Sequence, residues 1–382
     1  MRRLVIIAVA VLVLGAIGCQ SAPVRYPTIS PDARLAFPRD HFAHPEFRTE
    51  WWYYNGRLET NSGAVYGFQL VFFVRRTTDD SLYTIPTRWY ADPGHMAHFC
   101  LTDIAGQRLH FAERLTPSTA EGGDAGARTD SFLVWNRDWS AREVDGVHHL
   151  QAKQGRFDLA LALREAKAPV RHGRDGFFLK SKGPDFARGT YYITHSRLVG
   201  EGVLTIGGVS QPVRATAWRD HEFGSHQLAP DQLGWDWFSL QFDDDTELML
   251  YMLKQRDGSW GPLSKGTYVR ADGTTVALSK EDIVLEPRRS WKSQYGAGDY
   301  QVDWRARIPK LNLEFDVWPA LDNQEVNSRK TTRVIYWEGL VVTRGTKNGE
   351  PVAGHGYVEL CGNTHQVHQL TDRRDLRPAV RQ

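Results

Sequence analysis

Cysteine is scarce: three in 382 residues, at Cys19, Cys100 and Cys361. That excludes a disulfide-stapled scaffold and a zinc ribbon built on paired cysteines. Charge of one sign is missing too. Lys and Arg total 47 against 45 Asp and Glu, and two of the basic residues, Arg2 and Arg3, lie in the leader. With no basic stripe, nucleic acid is not an expected partner. Beyond the leader there is no apolar run long enough for a transmembrane helix. Nor is there a convincing amphipathic helix of more than about two turns. A G-x-S-x-G elbow, a phosphate loop, a dinucleotide fingerprint and H-E-x-x-H are all absent. His95 and His98 are spaced i, i+3, which on a strand sends them to opposite faces. No metal site is expected.

Aromatic residues are plentiful, with 13 Trp, 14 Tyr and 17 Phe. Hydrophobic residues at 41% and charged residues at 24% make a globular composition. The length suits two domains. Short alternating runs recur with Gly-containing turns, as in Glu50–Glu59 and Ala64–Val74 joined by Asn61-Ser-Gly63. The second half repeats the theme, with Trp235–Phe242 and Glu247–Lys254 joined by Asp243-Asp-Asp245. Tyr191–Val199 and Gly202–Ile206 read as separate strands, and Phe157–Arg164 as a strand buried on both faces. The expected fold is all-β: two tandem lipocalin-like antiparallel barrels, 41–225 and 226–375, each able to hold an apolar ligand.

The N-terminus adds a leader over 1–18. Met1-Arg-Arg is basic, Leu4–Leu14 is apolar, and Ala16-Ile-Gly-Cys19 ends in small residues before a cysteine. This resembles a bacterial lipoprotein signal with Cys19 lipidated; a plain signal peptide or short anchor is the blander reading. Gln20 after the cysteine points to the periplasmic side of the outer membrane. Residues 19–40 are a polar tether. Cys100 and Cys361 could pair in an oxidising compartment or stay as buried thiols.

Chemistry concentrates in two stretches, expected to face one another across the junction between the barrels. One is His44-Pro-Glu-Phe-Arg-Thr-Glu-Trp-Trp-Tyr-Tyr-Asn55; the other is Trp218-Arg-Asp-His-Glu-Phe-Gly-Ser225 with Trp235-Asp-Trp-Phe-Ser239. Alternation puts Asp236 on a face with Phe238, Leu240 and Phe242, where desolvation raises a carboxyl pKa as a general acid requires. The alternative is a structural ion pair, with Arg219 as partner. Asp220 and Glu222 point one way; Arg219, His221 and Phe223 point the other. His221 is the candidate base or water-holder, beside Asp220. Trp51, Trp52, Tyr53, Trp218, Phe223, Trp235 and Trp237 are candidate walls for an apolar ligand or a carbocation. His44, Glu46, Glu50, Arg219, Glu222 and Glu338 are supporting polar groups. Glu338 and Glu359, inside otherwise apolar strands, read as ion-pair partners rather than catalysts.

The string from His44 to Leu58 resembles the opening motif of the carotenoid 1,2-hydratase (hydroxyneurosporene synthase) family. That family includes secreted lipocalin-like relatives often labelled predicted secreted hydrolases. Trp218–Ser225, Tyr336-Trp-Glu-Gly339 and Gly356-Tyr-Val-Glu-Leu360 match it in the same order, so the resemblance spans residues 40–362. It implies two lipocalin-like barrels, no cofactor, and water added across an alkene by an acid, cation-tolerant aromatics and a base. His221 matches the family's histidine after Asp220, whereas Phe223 stands where the hydratase branch carries tryptophan. The leader suggests the secreted branch. Two readings follow: a periplasmic hydratase or hydrolase, or a non-catalytic monomeric carrier of lipid or another hydrophobe, anchored through Cys19 and serving an ABC-type export system.

Overall fold

The computed structural model describes residues 26–76, 94–117, 123–182, 187–226 and 228–362. The leader, Cys19, the first part of the tether and residues 363–375 lie outside the described residues. Among the described residues there is no α-helix, only single 3-10 turns such as Arg39–His41. The all-β expectation holds: two antiparallel sheets, of 13 and 10 strands, curl into a barrel and a half-barrel in tandem.

The first sheet runs from Thr49 to His226 and the second from Gln232 to Leu360. At the centre of the first, Thr49–Thr60 pairs with Val65–Arg75 on one side and Val209–His226 on the other. At the centre of the second, Gln232–Phe242 lies between Glu247–Gln255 and Glu350–Leu360. The two motif-bearing stretches expected to face one another across the junction are therefore neighbours in one sheet. Trp52 stands opposite His221, and Glu50 opposite Phe223. Only Trp235–Ser239 belongs to the other sheet.

Alternation sorts the side chains into three packed layers. Trp52, Tyr54, Leu58 and Phe68 fill the first barrel. Phe238, Leu240, Phe242 and Trp304 fill the second. Between the sheets, Tyr53, Val71, Tyr192, Trp218, Trp237 and Tyr251 make a third cluster. Thr49–Thr60 is thus covered on both faces, and each large ring removed from water contributes about 1.5–3 kcal/mol. Polar ties cross the junction as well. Gln241 Nε2 donates to the carbonyls of Ser196 and Ala217 at 2.7 and 3.0 Å. Glu247, fully buried, pairs with Lys167 at 2.9 Å and Arg197 at 2.6 Å.

Two local expectations change. Ala187–Ile206 is one strand across the predicted break. Gly200 and Gly202 sit where a Cβ would come within 2.0 Å of the Ala162 and Ala160 carbonyls, so glycine there permits close pairing rather than ending the strand. Phe157–Glu165 is buried on one face: Leu159, Leu161 and Leu163 point inward and Ala160 outward. Residues of the predicted tether pack on the first barrel. Ile29 is buried against Tyr191, Ile193 and Phe223, with Leu35 and Phe37 alongside.

Candidate functional site

The layer between the sheets encloses a cavity of about 120 Å³. Ring faces of Trp51, Tyr53, Trp235, Trp237, Tyr251 and Tyr336 form much of its wall. Because odd-numbered positions of Thr49–Thr60 and Gln232–Phe242 look into the junction, both strands offer their aromatics to one space. Trp52, expected as a wall, is on the opposite face. It stacks on the His221 ring at 5.0 Å inside the first barrel.

Four carboxyl groups reach this cavity besides Glu50: Asp220, Glu222, Glu338 and Glu359. Glu338 and Glu359 stand directly opposite one another on Val334–Lys347 and Glu350–Leu360. Among the described residues they are not the ion-pair partners expected. Glu338 accepts from the Tyr53 hydroxyl and from Gln69 Nε2, the latter at 2.5 Å. Glu359 accepts from Trp235 Nε1 and the Cys361 thiol, both at 3.1 Å. Burial and then the facing Glu359 push the Glu338 pKa well above the carboxylate range; burial raises Glu359 also. Two adjacent carboxyls in an apolar site cannot both ionise cheaply, so the pair retains a proton near neutrality.

At the other side, Asp220 accepts from Tyr192 and Thr194, each at 2.5 Å, and from Trp218 Nε1 at 2.7 Å. Burial pushes its pKa up to about 7 against the pull of those donors. Glu222 pairs with buried Lys180 at 2.8 Å. The Lys180 ammonium lies 5.2 Å from the Trp51 ring centre and 4.8 Å from that of Tyr251. A cation–π contact of this kind holds the ammonium in an apolar wall.

On the inner face of the same strands the polar groups form relays. His44 Nδ1 and His221 Nε2 each lie 2.8 Å from Glu50 Oε1, and His44 Nε2 lies 3.1 Å from Asp40. Burial opposes charge on His44, but its two carboxylate partners outweigh it and raise its pKa; burial lowers that of His221 to about 4. A second set joins Tyr54, His148, Glu165, His195 and Arg219. His148 and His195 lie 3.3 and 2.9 Å from Glu165 Oε1, and Arg219 donates to His195 Nε2 at 2.8 Å.

A family model described as AttH-like matches residues 28–363. The chain belongs to the AttH-like family. The crystal structure of a protein described as an AttH from Nitrosomonas europaea is 32% identical, with a TM-score of 0.78, covering 90% of this chain and all of that one. Kievitone hydratase from Nectria haematococca is 15% identical, with a TM-score of 0.66, covering 90% of this chain and 97% of that one. At that identity the likeness is one of fold. A comparison with curated proteins gave no match. The carotenoid hydratase-like resemblance of the motifs agrees with this membership.

Of the residues singled out in the sequence, this AttH-like protein brings Glu50, Trp51, Tyr53, Asp220, Glu222, Trp235, Trp237 and Glu338 to the cavity. His44, His221, Phe223 and Arg219 fall on the inner side, with Phe223 stacked on His44 at 3.5 Å. Trp218 lies buried beside Asp220, and Glu46 is exposed. Asp236 faces the second barrel's interior, as alternation foretold, so it does not meet His221. Its partner is Lys254 at 2.5 Å rather than Arg219. The Glu338–Glu359 pair was missed although a signal existed. Asn348-Gly349 forms a two-residue hairpin turn that fixes the register between their strands. Cys100 and Cys361 are free buried thiols in one apolar cluster.

Proposed function

We propose that this AttH-like protein holds an apolar, alkene-bearing small molecule between its barrels and adds water to it by acid catalysis. The observation that carries this reading is the facing carboxyl pair, Glu338 and Glu359, in an aromatic cavity. Glu338 in its acid form gives its proton to one alkene carbon, the π electrons forming the new C–H bond. The tertiary cation left behind meets the faces of Tyr53, Trp235 and Trp237. Glu359 in its carboxylate form takes a proton from water as the water oxygen bonds to the cation. H and OH are added, and the pair ends with the one proton it began with. On the reading of Cys19 as lipidated, we put the protein at the periplasmic side of the outer membrane.

The apolar walls equally suit a carrier of lipid or another hydrophobe, and one experiment separates the two. Purified protein is incubated in heavy-oxygen water with an apolar probe carrying a terminal trisubstituted alkene. Binding is followed by tryptophan quenching and product by mass spectrometry. Hydration predicts labelled alcohol from the wild type, and binding without product from Glu338→Gln. Binding without label in the wild type leaves the carrier; label undiminished in Glu338→Gln sinks the assigned acid.

A further inference from the structure

We infer that His44, Glu50 and His221 form a binding site for a divalent cation of the zinc class, adjoining the cavity through Glu50 and separate from the carboxyl pair. One ligand atom from each, His44 Nδ1, Glu50 Oε1 and His221 Nε2, lies within 4.8 Å of the others, and all three residues are buried. Two imidazoles and a carboxylate are a donor set that suits zinc and its neighbours. Linear spacing hides it, because the ligands come from a turn, the start of one strand and the middle of another.

The outer atoms of His44 and Glu50 are arranged as a metal's supporting groups are. His44 Nε2 faces Asp40 Oδ1 at 3.1 Å, so with Nδ1 on a cation the ring keeps a proton on Nε2 and donates it to that carboxylate. Glu50 Oε2 accepts from the His44 backbone N–H at 2.9 Å, which leaves Oε1 turned toward the two rings. His221 Nδ1 is buried and has no partner among the described residues. Nε2 donates to Glu50 when no cation is present, and with no partner fixing Nδ1 a cation displaces that proton by a shift of tautomer. Trp52 and Phe223 stack on the two rings and fix their planes.

The second His–Glu–His set of the same barrel supplies an internal control. Its ligand atoms are equally close. There, however, Arg219 donates to His195 Nε2. A guanidinium is always a donor, so His195 must carry its proton on Nδ1, the atom that would face a cation. The same guanidinium acts electrostatically on His221 as well, so it is the tautomer fixed at His195, not the charge, that separates the two sets. The two sets share composition, and their surroundings select the first.

The test is a cobalt titration of the full chain after chelator treatment, read by visible absorption and by metal content after gel filtration. The expected result is stoichiometric uptake with the d–d bands of a low-coordinate site, bleached by zinc. His44→Gln should abolish the bands and His195→Gln should leave them. Asp40→Asn keeps every ligand and should weaken affinity by about 10- to 100-fold, which guards against His44→Gln merely failing to fold. Absence of stoichiometric uptake by the wild type overturns the proposal. So does uptake that survives His44→Gln or is lost with His195→Gln. None of these readouts depends on turnover.

Discussion

The two barrels are built alike and filled differently. Inside the first, His41, His148, His195, His221 and Arg219 lie among the rings, and the exposed Glu165 reaches two of the histidines from the rim. Inside the second, Phe238, Leu240, Trp304 and Phe315 pack an apolar core, with the Asp236–Lys254 pair among the polar exceptions. Burying a polar group costs a few kcal/mol unless it is partnered. The first barrel meets that cost with relays that join histidines through carboxylates. A strand fold can therefore carry a polar interior, provided neighbouring strands bring partners into register. The chemistry of this protein gathers along Thr49–Thr60 and Val209–His226, where that condition is met, and on the junction they share with the second sheet.

The sharpest way to break the contrast is at the junction. Glu338→Gln should lower hydration by about 100-fold or more while the fold persists, measured as product formed alongside circular dichroism. The same variant tests the proton's residence. In the wild type Glu338 stays protonated in the folded chain and is ionised in the unfolded one, so folding holds an extra proton. Its contribution is fully present below pH about 4.5, the ordinary value, and is lost as pH rises through the raised pKa. Denaturant midpoints taken across that range should therefore fall less with rising pH in Glu338→Gln than in the wild type. An equal slope in both would mean the carboxyl is ionised in the native state.

In the second barrel, Asp236→Ala removes the buried carboxylate that pairs with Lys254 and should cost up to about 3 kcal/mol, discounted because the lysine is partly exposed. Chemical denaturation measures it. Asp236→Asn should keep hydration at the wild-type rate, since this carboxyl faces away from the cavity; a hundredfold loss would return the acid's role to it. A smaller effect is expected at the junction from Trp237→Phe, which removes the indole donor to the Tyr192 hydroxyl at 2.9 Å. About 1 kcal/mol is expected, with ligand retained. Smallest is Arg289→Ala on the outside of the second sheet, where the guanidinium bridges Asp303 and Asp322. Both partners are exposed enough that less than about 1 kcal/mol should change.

Much of this was readable before the fold was known. Period-two alternation with Gly-containing turns gave the barrels, and the same alternation split Asp220 and Glu222 from Arg219 and His221. Asp236's partner was also within reach. The hairpin through Asp243–Asp245 sets Asp236 opposite Met252, which puts Lys254 diagonally beside it. What local pattern could not supply was pairing between distant strands. Thr49–Thr60 meets Val209–His226 across most of the first domain, and nothing local in either strand encodes that partner. For that reason His44, Glu50 and His221 were named singly and not as a set. Lys180 was missed because its polarity finds a use only where Glu222 and the rings of Trp51 and Tyr251 converge on it.

The packing of the N-terminal segment has a consequence for how far the protein can roam. Ile29, Leu35 and Phe37 are docked on the first barrel, so the packed body begins well inside the polar stretch 19–40. If Cys19 carries lipid, the ten residues from Cys19 to Thr28 can span at most about 35 Å when fully extended. The barrels would then work within roughly one body-length of the bilayer. An apolar substrate could pass to the cavity directly from the membrane surface rather than through open water.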